Sequence, residues 1–84
     1  MSEKREEIFK TITEHLEARG VDVSDVSPQS DLYDDLDLDS LETVELTLGL
    51  EERYGIEIPD SELEDVSTVN DAIDLIEQKL AAHA

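Results

Sequence analysis

Residues 35–42 read Asp-Leu-Asp-Leu-Asp-Ser-Leu-Glu, and they connect an acidic, irregular segment to a strongly patterned helix. Asp39 stands where an N-cap residue belongs and Glu42 follows three residues later, which is the spacing of a capping box with Asp in place of Ser or Thr. Ser40 then lies in the first helical turn, beside backbone N–H groups that have no partner inside the helix. A helix N-terminus is favourable for phosphate, so Ser40 is a candidate modification site; the alternative is an ordinary serine in a well-capped helix.

The helix that begins at Ser40 is predicted to continue to Arg53 and to end before Gly55. Its apolar side chains fall on two nearly opposite faces. One face carries Leu46 and Leu50, and the other, which we call the apolar stripe, consists of Leu41, Val44 and Leu48. A small bundle cannot easily cover both faces, and acidic residues flank the stripe, so we expect the stripe to be exposed as a contact site. Deeper burial of the whole helix is the alternative.

The rest of the chain predicts three further helices. Ile8, Ile12 and Leu16 recur every four residues, which indicates a first helix over 3–19 that ends at Gly20. Pro59 and Asp60 are start signals for a short helix with Leu63 facing inward. Ser67 or Thr68 caps the last helix. Its predicted apolar face consists of Val69, Ala72, Ile73, Ile76 and Leu80.

Residues 20–39 form a long first loop, because Pro28 and its Ser and Asp neighbours argue against a strand. We expect Leu32, Tyr33 and Leu36 to attach this loop to the core. The predicted fold class is therefore all-α: a small antiparallel four-helix bundle, with three main helices, one short helix and a long first loop. Residues 1–84 are expected to form a single domain.

Charge is the most distinctive feature of the composition. The formal net charge is −18, from 6 basic and 24 acidic residues. Residues 20–78 contain 19 acidic residues and one basic residue, Arg53, whereas the remaining residues are balanced. Nucleic acid is excluded as a direct partner because its phosphates would be repelled. Basic protein surfaces are the expected partners, found by electrostatic steering, unless the acidity serves solubility alone.

Several other classes of protein are disfavoured. The chain has no cysteine, so it forms neither disulfides nor a thiolate metal site. No stretch is long and apolar enough for a membrane span, and the N-terminus lacks the apolar region of a signal peptide, so a cytoplasmic location is expected. Asp35, Asp37 and Asp39 alternate as in an EF-hand, but Ser40 and Leu46 replace the Gly and Glu that such a loop requires. No metal site is expected.

Catalysis by this chain alone is also disfavoured. A hydrolase built on Ser40 would need a base, and the histidines are His15, expected to be an ordinary exposed helix residue, and His83 in the tail. The Gly-x-Ser-x-Gly arrangement of a nucleophile elbow is absent. We therefore expect no catalytic residue and no enzyme activity.

Three separated blocks resemble acyl carrier proteins. Asp39-Ser40-Leu41 followed by Glu-Thr-Val-Glu-Leu at 42–46 is similar to the modification-site signature of that family. Residues 51–60 resemble its acidic helix end and following loop, and residues 68–76 resemble its last helix. The blocks occur in the right order and spacing, and the likeness extends from about residue 8 to 80. Two positions depart from the pattern: Asp37 replaces a usual Gly, and Tyr33 stands where small aliphatic residues are frequent.

The resemblance implies that Ser40, between Asp39 and Leu41, carries a 4′-phosphopantetheine arm attached from coenzyme A by a separate transferase. The terminal thiol of that arm holds acyl groups as thioesters. The acidic rim and the Glu-Ile-Pro-Asp segment at 57–60 look closest to discrete fatty acid synthase carriers. A carrier for polyketide or aminoacyl intermediates is the alternative, since it shares the Asp-Ser-Leu core. A third reading is an acidic interaction protein, which would need its carboxylates but not Ser40.

The resemblance also implies partners and an acyl site. The expected partners are a phosphopantetheinyl transferase and acyl-handling synthase enzymes with basic surfaces, which bind a monomeric carrier. The residues expected to contact them are Leu41, Glu42, Val44, Glu45, Leu48, Glu51, Glu52, Asp60 and Glu64. The residues expected to line an acyl-chain pocket beside the Ser40 helix are Leu46, Leu50, Ile58, Leu63 and Ile73.

Overall fold

The computed structural model describes residues 3–83, which contain four helices and no strand. The helices are α1 (Glu3–Ala18), α2 (Ser40–Tyr54), α3 (Asp60–Leu63) and α4 (Val69–His83). This order confirms the predicted all-α fold of three main helices and one short one. α1 packs against both α2 and α4. None of the helices in the described range has the length and apolar composition that crossing a membrane requires.

The core follows the predicted helical periodicities. From α1, Ile8, Ile12 and Leu16 are at most 1% exposed, as their four-residue spacing predicts. The apolar faces of α2 and α4 meet them, together with side chains from the connecting segments. The other buried apolar residues are Leu32, Leu38, Leu46, Leu50, Ile56, Ile58, Val66, Val69, Ile73 and Ile76.

The end of α2 and the start of α4 are set by local stop and start signals. Gly55 adopts a left-handed conformation at φ 66°, and its N–H donates to the Glu51 carbonyl at 2.8 Å, which ends α2 after Tyr54. At the start of α4, the Asp71 N–H donates to Thr68 Oγ1 and the Thr68 N–H donates to Asp71 Oδ2, each at 3.1 Å. Thr68 is therefore the capping residue of the two candidates.

The first loop is attached to the start of α4 by backbone hydrogen bonds. The Val69 N–H donates to the Ser30 carbonyl at 3.0 Å, and the Asn70 N–H donates to the Pro28 carbonyl at 2.8 Å. Loop carbonyls thus satisfy N–H groups in the first turn of α4 that have no partner inside the helix. This docking fixes the path of the loop toward α2.

The expectation for Tyr33 was wrong. Leu32 is 1% exposed and Leu36 packs against the core, as predicted, but Tyr33 is 38% exposed. The second buried anchor is Leu38, whose N–H donates to the Leu32 carbonyl at 3.0 Å. Because this bond closes residues 33–37 into a small surface loop, Tyr33 lies on the outside of it.

The expectation for His15 was also wrong. His15 is half-buried between α1 and α2, where its imidazole lies against Gly49, so close that a Cβ on Gly49 would meet it. One turn earlier on α1, Thr11 Oγ1 accepts a hydrogen bond from Tyr54 Oη at 3.0 Å. The absent side chain at position 49 therefore allows the two helices to approach.

Ion pairs connect the remaining helix contacts. Arg5 on α1 donates to Asp74 at 2.5 Å and to Glu77 at 2.9 Å, and it also bonds Asn70, all on α4. The bonds to Asp74 and Glu77, with Asp74 as the larger cause, raise the pKa of Arg5 above its ordinary value. Lys79 Nζ on α4 donates to Glu62 on α3 at 2.8 Å, which holds the short helix in place.

Candidate functional site

The predicted capping box is present at the start of α2. Asp39 has extended backbone angles, and its Oδ1 accepts from the Glu42 N–H at 2.8 Å. Glu42 Oε1 in turn accepts from the Asp39 N–H at 3.4 Å. The Asp39 carbonyl accepts from both the N–H and the hydroxyl of Thr43, each at 3.0 Å. These bonds fix the residue before Ser40 and the turn after it.

Ser40 is the first residue of α2 and its side chain is exposed. Within the described part of the chain, the N–H groups of Ser40 and Leu41 donate no hydrogen bond. An accessible hydroxyl therefore lies beside two available donors at the positive end of a helix dipole. This arrangement suits a phosphoryl group attached to the serine oxygen.

The segment before the site is held in a defined turn. Asp31 Oδ1 accepts from the N–H groups of Tyr33 and Asp34 at 2.8 and 2.9 Å, and the Asp31 N–H donates to Asp35 Oδ2 at 2.7 Å. Asp37 has φ 58°, a left-handed conformation that no other non-glycine residue in the described range adopts. Asp tolerates this conformation better than most residues do. The resemblance led us to expect Gly at this position, and Gly adopts such a left-handed backbone without steric cost.

The apolar stripe lies at the surface of α2. Leu41 is 65% exposed and Leu48 is 53% exposed, while Val44 between them is half-buried. The opposite face of the same helix is buried through Leu46 and Leu50. Deeper burial of the whole helix is therefore wrong as an explanation of the two apolar faces.

The carboxylates that we expect to contact partners differ in their internal contacts. Glu42 belongs to the capping box, Glu51 Oε2 accepts from the Ile58 N–H at 3.1 Å, and Glu45 forms an ion pair with Arg19. Among the expected contact carboxylates, Glu52, Asp60 and Glu64 have no side-chain hydrogen bond or ion pair within the described residues. The sequence pattern did not single out Arg19, because it lies 26 positions before Glu45 and no periodicity links the two residues.

A closed apolar seam runs between α2, α3 and α4. It is lined by Leu32, Thr43, Leu46, Thr47, Leu50, Ile58, Leu63, Val66, Ala72, Leu75 and Ile76. The lining includes Leu46, Leu50, Ile58 and Leu63 of the expected acyl pocket, whereas Ile73 is fully buried elsewhere in the core. Its volume is about 10 Å³, no more than one water molecule needs. The seam is therefore packed shut in this conformation.

Two of the alternating aspartates before α2, Asp35 and Asp39, accept hydrogen bonds from backbone N–H groups. Among the side chains that the structure describes, no group of three or more histidine, aspartate or glutamate residues is arranged to hold a metal ion. The carboxylates of Asp31, Asp35 and Asp39 bind backbone N–H groups instead. Their role in the fold is to shape the turn and cap the helix.

Comparison with known proteins identifies a family and a similar fold. A family model described as "Phosphopantetheine attachment site" matches residues 10–76, which include the capping box, Ser40 and the seam residues of α4. Among solved structures, the chain is similar to an acyl carrier protein from Thermotoga maritima, with a TM-score of 0.85 and 25% sequence identity. The similarity covers 100% of this chain and 99% of that chain.

Proposed function

The chain belongs to the family of phosphopantetheine attachment domains and is a carrier protein, not a catalyst; on this premise we propose that Ser40 carries the 4′-phosphopantetheine arm in fatty acid biosynthesis. The observation that supports this assignment is the exposed Ser40 hydroxyl at the start of a capped helix. We place the carrier in the cytoplasm as a monomer with a single domain.

The residues around Ser40 fit a phosphodiester on its oxygen. The N–H groups of Ser40 and Leu41 are available as donors, and the positive end of the α2 dipole favours the added charge. Asp39 and Glu42 hold each other, so they keep the helix start in place and Ser40 directed to solvent. When bound, the arm supplies a terminal thiol that holds acyl groups as thioesters.

The partner surface follows from the exposed face of α2. The apolar stripe supplies contact area at Leu41 and Leu48, and the surrounding carboxylates attract basic enzymes before contact. The proposed partners are a phosphopantetheinyl transferase and acyl-handling synthase enzymes. The proposed contact residues are Leu41, Glu42, Val44, Glu45, Leu48, Glu51, Glu52, Asp60 and Glu64.

The apolar seam is the proposed shelter for the acyl chain. Each buried CH₂ contributes about 0.8 kcal/mol, so a chain of several carbons has a driving force to enter. Because the seam is packed shut, entry requires α2 to separate from α3 and the start of α4. Leu46, Leu50, Ile58 and Leu63 are the side chains that such an opening would expose to the chain.

Intact mass spectrometry tests the attachment. The chain is incubated with coenzyme A, Mg²⁺ and a promiscuous phosphopantetheinyl transferase, and the wild type is expected to gain one phosphopantetheine. Ser40→Ala should gain none. Ser61→Ala is the matched control, because Ser61 is also exposed, follows an aspartate and lies near a helix start. Modification that persists in Ser40→Ala would overturn the assignment.

The pathway is tested on the modified protein. Loading with a malonyl group and elongation by discrete fatty acid synthase enzymes support the fatty acid assignment. If these enzymes do not accept the modified carrier but polyketide or aminoacyl-loading enzymes do, the protein would be assigned to the alternative pathway. Either outcome leaves the attachment at Ser40 unaffected.

A further inference from the structure

We propose that Arg19 competes with basic partner enzymes for Glu45 and so weakens docking on the centre of α2. This inference rests on the proposed function, because it assumes that basic enzymes dock on this face. It assigns to Arg19 a role in partner selection. Arg19 is not part of the attachment site or of the apolar seam.

The contact that carries the proposal joins the end of α1 to the middle of α2. Arg19 Nη1 forms an ion pair with Glu45 Oε2, and the two side chains are 36% and 39% exposed. Glu45 follows Val44 directly and lies between Leu41 and Leu48 along the helix. A basic side chain that docks on the apolar stripe therefore meets a carboxylate that already has a cation.

The other basic residues of the described ion pairs lie elsewhere. Arg5 pairs with carboxylates of α4, and Lys79 pairs with Glu62 of α3. Within the described residues, Arg19 is thus the cation that occupies a carboxylate of the proposed partner surface. Glu52, Asp60 and Glu64 on the same surface have no such competitor.

The Arg19–Glu45 ion pair is weak enough for a basic partner enzyme to displace Arg19. Exposed ion pairs contribute little to stability, so the pair breaks at low cost when a partner arrives. Until it breaks, Arg19 neutralises Glu45 and repels an approaching basic side chain at short range. Enzymes that dock through Glu45 must displace Arg19, whereas enzymes that dock through Glu52, Asp60 and Glu64 need not. Arg19 therefore biases the carrier toward the second group.

A double-mutant cycle tests the proposal with the promiscuous phosphopantetheinyl transferase as the probe. The kcat/KM for modification is measured at low salt for wild type, Arg19→Gln, Glu45→Gln and the double variant. Lys10→Gln is the matched control, since Lys10 is exposed on α1, has no ion pair in the described range and carries the same charge. Circular dichroism verifies that each variant is folded.

Arg19→Gln should raise kcat/KM about two- to five-fold through a lower KM, the range that an exposed ion pair spans. Lys10→Gln should change it less than about two-fold, because Lys10 pairs with no carboxylate of the proposed partner surface in the described range. In the Glu45→Gln background, Arg19→Gln should have no further effect. Equal effects of Arg19→Gln and Lys10→Gln, or an Arg19→Gln effect that persists without the Glu45 charge, would overturn the proposal. An unmodified wild type would instead overturn the proposed function.

Discussion

The imidazole of His15 on α1 lies so close to Gly49 on α2 that a Cβ built on Gly49 would come within 3.0 Å of the His15 Cε1 atom. Glycine in a helix interior costs about 1 kcal/mol relative to alanine. At Gly49 this cost is offset by the close approach of the two helices, with His15 covering the gap. The pair sets how closely α1 and α2 approach each other at this point.

Gly49→Ala should therefore change stability by different amounts in two backgrounds. In the wild type we expect a change in unfolding free energy of less than about 0.5 kcal/mol, because the gain in helix propensity is cancelled by the contact with His15. In the His15→Ala background the same substitution should stabilise by about 1 kcal/mol. Urea denaturation measures both. Equal effects in the two backgrounds would show that His15 does not restrict position 49.

Asp37→Gly should stabilise the protein by about 0.5–1 kcal/mol, since glycine adopts the left-handed conformation at no steric cost. Asp37→Val should destabilise by more than about 1 kcal/mol, because a β-branched side chain is poorly accommodated there. Asp34→Gly is the control for charge, as Asp34 is exposed in the same loop without a positive φ. Equal stabilisation by Asp34→Gly and Asp37→Gly would assign the effect to reduced repulsion instead.

The sequence predicted features set by local contacts and by periodicity. We could predict the capping box at Asp39 and Glu42, the helix end at Gly55 and the buried face around Leu46. A cap or a helical face depends on neighbours only a few residues away. The exposure of Tyr33 and the burial of Leu38 could not be predicted, because they depend on the bond between Leu38 and Leu32 and on the docking of the loop onto α4. The Arg19–Glu45 pair and the Ala72, Leu75 and Ile76 lining of the seam depend on how helices pack side by side. One sequence contains no pattern for such contacts.

The start of α4 should be sensitive to acid through Asp71. Hydrogen bonds from the backbone N–H groups of Ser67 and Thr68 hold the pKa of Asp71 below its ordinary value. Because the pKa in the folded state is lower than the ordinary pKa of 3.8, the ionised carboxylate stabilises the fold at pH values above about 3.8. This contribution is lost as the pH falls through the folded-state pKa. The difference in unfolding free energy between wild type and Asp71→Asn should therefore shrink below about pH 4.

The control for Asp71 is Asp65→Asn, which removes a nearby charge but no hydrogen bond in the described structure. Its difference from wild type should not follow the same pH course. If Asp71→Asn and wild type differed equally at pH 7 and pH 3, the capping bonds would not depend on the charge of Asp71.

Salt should stabilise the fold. A net charge of −18 opposes the compact state, and screening by ions reduces that repulsion. We expect the melting temperature to rise between low salt and about 0.5 M NaCl, where the screening length falls to a few ångströms. Millimolar Mg²⁺ should act in the same direction. A melting temperature that responds to neither would mean that the carboxylates are too well solvated to repel one another.

Glu51 and Glu52 are adjacent on α2 and both belong to the proposed partner surface, yet we expect different consequences of their removal. Glu51 Oε2 accepts from the Ile58 N–H, and Ile58 is 7% exposed in the lining of the apolar seam. Glu51→Ala leaves that N–H without its charged acceptor, so it should cost about 1–2 kcal/mol of unfolding free energy in urea titrations.

Glu52 has no hydrogen bond or ion pair in the described range and is exposed, so Glu52→Ala should leave stability within about 0.5 kcal/mol. It should instead raise the KM of the phosphopantetheinyl transferase at low salt, with the difference fading as salt screens the surface. Because the two residues are neighbours with the same charge, a general effect of net charge would act on both equally. Equal losses of stability would show that the Ile58 bond contributes nothing. A Glu52→Ala variant with unchanged KM at every salt concentration would remove Glu52 from the partner surface.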